Sequence, residues 1–166
     1  MLKKLKNSNS LLVIVLIMLL VSCDSNGVFD RYISLNDASW KADEKISFDF
    51  TINDTLAKHN LFIQLRNNSR YGFSNLFLIT QCNFPDGQRI IDTLEYDMAD
   101  NTGKFLGTGF TELKENKLFY KENITFPIRG EYTFSVSQAM RKSDAIQGVE
   151  SLDGITDVGF RIEKIE

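Results

Sequence analysis

Histidine and cysteine are scarce in this chain. Its 166 residues include one histidine, His59, and two cysteines, Cys23 and Cys82. A zinc site of the ordinary kind takes four Cys or His ligands and cannot be assembled from this set. Cys82 lies in an apolar run over residues 76–84, which predicts a buried thiol acting as a small hydrophobe. His59 falls in a predicted turn, where we expect a solvated loop side chain. The sequence predicts no catalytic residue, no metal and no cofactor.

Basic residues are also few, with 19 Lys and Arg against 22 Asp and Glu. Three of those lysines precede the apolar N-terminal run, so the remainder of the chain is more acidic still. Nucleic-acid binding depends on cations that displace counterions from phosphates, and an acidic domain gains nothing from it. No polybasic patch is present to hold an anionic lipid surface. We therefore expect no nucleic-acid partner. Because no catalytic residue is predicted, we also expect no small-molecule substrate.

Long apolar runs are limited to one, and it is short. The eleven residues from Leu11 to Val21 follow Lys3, Lys4 and Lys6. As a helix they would span roughly 16 Å, whereas a bilayer core is about 30 Å thick. A basic start, a short apolar core and a small residue before a cleavage point are typical of a signal peptide.

The end of this run resembles a bacterial lipobox, Leu20-Val21-Ser22-Cys23. In such a motif the Cys thiol is acylated and the peptide is cut just before it, so Cys23 is the predicted lipidation site. The alternative is an ordinary secretory signal with Cys23 there by chance. The expected organisation is a signal peptide over 1–22, a lipidated N-terminus and tether over 23–30, and a domain over 31–166. The membrane is then reached through two or more acyl chains.

Strand patterns dominate the rest of the chain. Residues 46–52 alternate apolar and polar side chains, which predicts a half-buried strand. Phe84-Pro85-Asp86-Gly87 is a turn signal between two strands, with Pro and Gly at the positions that favour them. Seven to eight such strands, no long amphipathic helix and 13 Phe predict an all-β antiparallel sandwich, jelly-roll or Ig-like.

Candidate functional residues lie in two predicted loops. Tyr71 and Phe73 could offer aromatic rings to a partner or a sugar, and Asp97 and Asp100 flank a turn. Together with Asp86, these acids are a calcium possibility through loop oxygens, although no EF-hand-like order supports it. We take Tyr71, Phe73, Asp97 and Asp100 as a possible partner or ligand surface. A carbohydrate-binding module is the main alternative function, followed by a small hydrolase using the acids around residues 92–100.

Several stretches in the same order resemble the GldH family of gliding-motility lipoproteins from Bacteroidetes. They include Tyr-Gly-Phe-Ser-Asn-Leu-Phe at 71–77 and Phe-Pro-Asp-Gly at 84–87. The others are residues 65–68, 92–100, 103–107, 113–118, 138–142 and 154–159. The resemblance covers nearly the whole chain.

The resemblance implies a membrane-anchored, non-enzymatic accessory protein needed for gliding, and it brings no catalytic residues. Its implied partners are other envelope proteins of gliding motility or of type IX secretion. We expect the periplasmic side of the outer membrane. Asp24 after the Cys would favour the inner membrane under enterobacterial sorting rules, so that alternative stays open.

Overall fold

Strand β3, Ile46–Ile52, shows how this sequence forms its sheets. In the computed structural model, which describes residues 26–141 and 147–165, its side chains are alternately buried and exposed over all seven positions. That is the period of two expected for a strand with one face on a core. The alternation predicted from the sequence is confirmed residue by residue.

Ten strands and a single 3-10 turn, Asn36–Ala38, make up the regular structure of the described residues. The strands are β1 Gly27–Ser34, β2 Ser39–Lys41, β3 Ile46–Ile52, β4 His59–Asn67, β5 Asn75–Asn83, β6 Arg89–Asp97, β7 Lys114–Ile124, β8 Gly130–Gln138, β9 Ser151–Asp153 and β10 Ile155–Lys164. No helix in this part of the chain is long and apolar enough to cross a membrane.

The eight longer strands form two antiparallel four-stranded sheets. One has the order β1-β10-β4-β7 and the other β3-β8-β5-β6, while β2 and β9 pair separately. Numbered among the eight long strands alone, the orders are 1-8-3-6 and 2-7-4-5, which is the strand order of a jelly roll. The predicted all-β sandwich is confirmed, and the topology decides for the jelly-roll alternative.

Aromatic rings fill the space between the sheets. Phe134 on β8 stacks on Phe160 on β10, with ring centroids 4.0 Å apart and planes inclined by 14°. Phe48 and Phe50 on β3 also contact Phe160, at 6.1 Å and 5.6 Å between centroids. Facing sheets of a sandwich meet through such interdigitating side chains. Phe160 therefore joins the two sheets.

The structure differs from the sequence-based expectations at three places. Strand β1 begins at Gly27, inside the segment 23–30 expected to be a tether, so the fold starts earlier in the chain. Strand β7 begins at Lys114, where the sequence suggests a helical turn or an irregular crossover. The three-residue strands β2 and β9 raise the count to ten. The four strands concerned, β1, β2, β7 and β9, are too polar or too short to show a clear alternation in the sequence.

Candidate functional site

The strands of the sandwich run between two ends. Strand β1 starts at Gly27 beside Glu163, and the next pair across β10 and β4 joins Lys164 to His59. We call this the anchor end, because Cys23 precedes it in the chain. Cys23 itself lies outside the described residues. Strand β4 ends at Asn67, about 26 Å away at roughly 3.3 Å per residue. That opposite side is called the far end.

All four residues predicted as a partner or ligand surface belong to the far end. Residues 68–74 follow β4 there, and Asn75 on β5 pairs with Asp97 at the end of β6. The carbonyl of Ser74 accepts hydrogen bonds from the N–H groups of Met98 and Ala99, at 2.7 and 3.0 Å. These backbone bonds join the loop carrying Tyr71 and Phe73 to the loop carrying Asp100.

Tyr71 is buried, although the sequence predicts an exposed loop position. Its side chain is 3% exposed, and its hydroxyl donates a 2.7 Å hydrogen bond to the carbonyl of Asn75. Burial raises the pKa of this phenol well above its usual value. The ring also lies 6.0 Å from Phe73 and 6.3 Å from Phe105, between centroids. Tyr71 therefore stabilises the loop from its buried side. Of the two aromatic rings predicted to bind a sugar, the Tyr71 ring is not accessible.

Phe73 is partly buried and lines the first of two grooves at this end. The first groove, of about 500 Å³, runs between Arg70 and Phe73 on one side and residues 147–153 on the other. The second lies between Ser74 and the turn that contains Asp97 and Asp100. Arg70 also donates hydrogen bonds to the carbonyls of Asp37 and Ala38, which fixes the wall of the first groove.

Asp100 organises its own turn. Its Oδ1 accepts hydrogen bonds from the N–H groups of Thr102 and Lys104 at 2.8 and 3.1 Å, and from the Thr102 hydroxyl at 2.6 Å. These bonds, led by the hydroxyl, hold the pKa of the carboxyl below its usual range. Among the described residues, no group of three or more His, Cys, Asp or Glu is arranged to hold a metal ion. The Asp100 carboxylate therefore stabilises this turn.

The remaining titratable candidates are enclosed. The Cys82 thiol is buried as predicted, and burial together with the charge of Asp92 raises its pKa to about 11. A thiol with such a pKa is a poor nucleophile at neutral pH. The carboxylate of Asp92 accepts a hydrogen bond from Tyr120 at 2.8 Å and pairs with Lys121 at 3.0 Å. This acid thus joins the edges of the two sheets.

His59 is expected from the sequence in a solvated loop, and that prediction is wrong. It is the first residue of β4, it is 3% exposed, and its ring packs edge-on against Phe126 at 5.4 Å between centroids. Its Nδ1 has no hydrogen-bond partner in the structure. Burial lowers the pKa of the imidazole, opposed by the charge of Asp54, so the neutral form is favoured.

Sequence reasoning missed the exposed apolar side chains in the loops. Leu106, Phe110 and Leu113 project at the far end, and Leu56 projects at the anchor end with 88% of its surface exposed. The signal was available, since each of these residues sits among turn-forming or charged neighbours. When only the sequence is read, an isolated apolar residue in a loop is easily mistaken for a core position.

The family model and the similar proteins found by comparison all carry the same family name. The family model described as GldH lipoprotein matches residues 27–162. The chain is 48% identical over 161 residues to the protein named Gliding motility lipoprotein GldH of Flavobacterium johnsoniae, covering 97% of this chain and 98% of the relative. It is 49% identical over 148 residues to the GldH homolog of Christiangramia forsetii, covering 89% and 90%.

Likeness to solved structures is weak. The structure of infectious bursal disease virus Gx strain matches with a TM-score of 0.39 and 17% sequence identity. The match covers 87% of this chain and 34% of the viral chain, so this chain spans about a third of that protein. A similarity at this level carries no functional argument.

Proposed function

The chain belongs to the GldH lipoprotein family and is a lipoprotein involved in gliding motility, as its motifs predicted; from that premise we propose how it acts. The mature protein begins at Cys23 and is held in the cell envelope by lipid on that residue. It serves the motility machinery as a non-enzymatic assembly or stability component. It faces the periplasm from the outer membrane.

The observation that carries this proposal is the position of the lipobox relative to the fold. Leu20-Val21-Ser22-Cys23 ends the apolar run, and β1 begins at Gly27, four residues after the cysteine. A cut before Cys23 would leave the whole sandwich intact and place it directly after the acylated residue. A signal peptide that ended later would remove part of a strand that pairs with β10 along its length.

The environments of the titratable groups support a non-enzymatic role. Cys82 and His59 are buried, and burial shifts each pKa toward the uncharged form. Asp92 and Asp100 are engaged in hydrogen bonds that hold the sheet edges and a turn. Each of these side chains contributes to packing or to hydrogen bonds within the fold, as expected for a scaffold or adaptor protein.

The far end is the proposed partner surface. It carries two grooves, the first lined by Phe73 and the second by Asp97 and Asp100, and buried Tyr71 packs against Phe73. The proposed partners are other envelope proteins of gliding motility or of type IX secretion. Exposed Leu106 and Phe110 add apolar area to the same end, as interaction surfaces do.

Complementation of a deletion strain tests the role of the anchor. Deleting the gene should abolish spreading, and Cys23→Ala should mislocalise the protein and fail to restore it. Ser22→Ala is the matched control, because it keeps a small residue before the cysteine and should restore spreading. If an unlipidated, soluble form restored gliding fully, the anchor would be irrelevant and the proposal would fail.

Photo-crosslinking in intact cells tests the partner surface. A benzophenone side chain in place of Phe73 should give a discrete adduct with another envelope protein. The same group in place of Ile79, a half-exposed residue in the middle of β5, is the control and should give none. Equal adducts from both positions would remove the far end as the specific contact.

A further inference from the structure

We propose that the loop over residues 53–58 docks on the phospholipid surface beside the anchored Cys23, with Leu56 inserted among the lipids. This inference rests on the proposed lipidation of Cys23. It adds a second membrane contact made by the folded domain and a fixed orientation, with the anchor end on the bilayer and the far end directed away from it.

The length of chain before the fold limits where the domain can sit. Gly27, the first residue of β1, follows Cys23 by four positions in the sequence. Fully extended, this stretch reaches about 14 Å at roughly 3.5 Å per residue. The sandwich itself extends about 26 Å along β4. The tether is therefore shorter than the domain, and the anchor end stays close to the lipid surface.

The loop that carries Leu56 lies where this tether enters the fold. The carbonyl of Asn26 accepts a hydrogen bond from the N–H of Lys164, and the N–H of Ile165 donates to the carbonyl of Lys58, at 2.9 and 2.8 Å. Val28 and Asp54 line the same small groove with Lys164. The first described residue, the end of β10 and the end of this loop thus meet at one corner.

Leu56 is presented outward by a pre-formed turn. Its side chain is 88% exposed, while its own N–H donates to Oδ1 of Asp54 at 2.9 Å. The N–H of Ala57 donates to the same oxygen at 3.3 Å. A turn already held by these bonds loses little conformational freedom on docking, which favours binding. Val28, 48% exposed, adds a second apolar side chain at this corner.

The charges around Leu56 suit phospholipid headgroups. Lys58 and Lys164 are both exposed, and Asp54, the acid beside them, lies 3.9 Å from the Lys164 ammonium. Long cationic side chains place an apolar stem toward lipid and a charged head at the phosphate level. One leucine and two lysines would bind a membrane weakly from solution. Because the anchor enters the fold at this same corner, four residues before Gly27, these side chains act at a high effective concentration, so a weak contact is enough.

A fluorescence experiment on the full lipidated protein tests the docking. The protein is reconstituted into vesicles of phosphatidylethanolamine and phosphatidylglycerol, and NBD is attached at Leu56→Cys. Leu106→Cys is the matched control, because Leu106 is also an exposed loop leucine but lies at the far end. The parent chain checks that buried Cys82 takes up no label. We expect the emission at position 56 to shift to the blue and to be quenched by doxyl-labelled lipid, and the emission at position 106 to stay that of label in water.

The outcomes separate this inference from the anchor proposal. Mass analysis for acyl chains and flotation with the vesicles are measured on the same samples. A chain that carries no acyl mass and does not float contradicts lipidation at Cys23, and the docking inference with it. A chain that floats while its position-56 label remains in water refutes the docking alone. Quenching at position 106 instead would reverse the orientation and also overturn it.

Discussion

A methyl group added at Gly154 should disturb the far end more than any exposed substitution there. Gly154 lies between β9 and β10 with φ of 90°, and a Cβ at this position would be 2.1 Å from the backbone nitrogen of Tyr71. It would also be 2.7 Å from the carbonyl carbon of Arg70. Backbone atoms cannot rotate away as a flexible side chain can, so the two segments must separate.

The expected loss has two parts. An alanine forced into a left-handed conformation costs about 1–2 kcal/mol. Separation also strains the hydrogen bonds from Gly154 N–H to the Ala38 carbonyl and from Asn68 N–H to the Gly154 carbonyl, both 2.8 Å. Each such bond contributes about 0.5–1.5 kcal/mol. Gly154→Ala should therefore lower the free energy of unfolding by about 2–5 kcal/mol.

Two other glycines separate the causes. Gly103 has φ of 84° but open space around its Cβ position, so Gly103→Ala should cost only the backbone strain, about 1–2 kcal/mol. Gly72 has open space and no positive φ, so Gly72→Ala should be neutral or slightly stabilising. The order of loss should be Gly154, then Gly103, then Gly72.

Urea unfolding of the soluble chain that starts at Asp24 measures the three losses. The single tryptophan, Trp40, is buried and pairs with Leu152 two residues before Gly154, so its fluorescence reports on this corner. Gly154→Ala should also red-shift the native emission. Equal losses for Gly154→Ala and Gly103→Ala, with unchanged native emission, would show that the close approach to Tyr71 is not what requires glycine.

Three further predictions follow from the contacts. Phe160→Ala removes the ring that joins the sheets and should lower the free energy of unfolding in urea by about 3–5 kcal/mol. Phe110→Ala, at a fully exposed position, should change it by less than about 0.5 kcal/mol. Similar losses for the two variants would contradict the placement of Phe160 in the core. Asp100→Ala should speed amide exchange at Thr102 and Lys104 without global unfolding, and protection retained there would argue against the turn. Burial lowers the pKa of His59 in the folded state, so the unfolded chain binds this proton more readily. The contribution of neutral His59 to the free energy of unfolding should therefore be complete above about pH 6.5. It should decrease as the pH falls below that value, by at most about 1.4 kcal/mol per pH unit. His59→Gln should flatten that part of the pH profile, and an unchanged slope would assign it to other groups.

Much of the fold could be predicted from local sequence patterns. Strand β3 alternates without exception, and the hairpin at Phe84-Pro85-Asp86-Gly87 forms as its residues require: Gly87 has φ of 85°, and its N–H donates to the Phe84 carbonyl at 3.0 Å. Both depend on neighbours in sequence, so a single chain reveals them. The eight long strands that result are enough to predict a sandwich.

Features created by distant contacts could not be read in the same way. Asn116 looks like a surface residue among charged neighbours, yet it is buried because its amide donates to Asn67 Oδ1 on the paired strand β4 at 2.9 Å. Tyr71 is buried because Gly154, 83 positions later, lets two backbones meet. His59, at the start of β4, is covered by Phe126 from the loop between β7 and β8. Each partner lies far away in sequence, so the local sequence does not reveal the burial.

Under the proposed function, the two ends of the sandwich would give the folded domain a task that a lipid alone could not perform. Acyl chains alone would hold the protein at a membrane without setting which surface meets the machinery. With the proposed lipidation and docking, the short tether before Gly27 and the hydrogen-bonded loop at Leu56 would restrict the rotation of the domain. The jelly roll would then hold the groove lined by Phe73 about 26 Å from the corner proposed to face the lipid. On these proposals, the anchor end would set the orientation and the far end would recognise the partner.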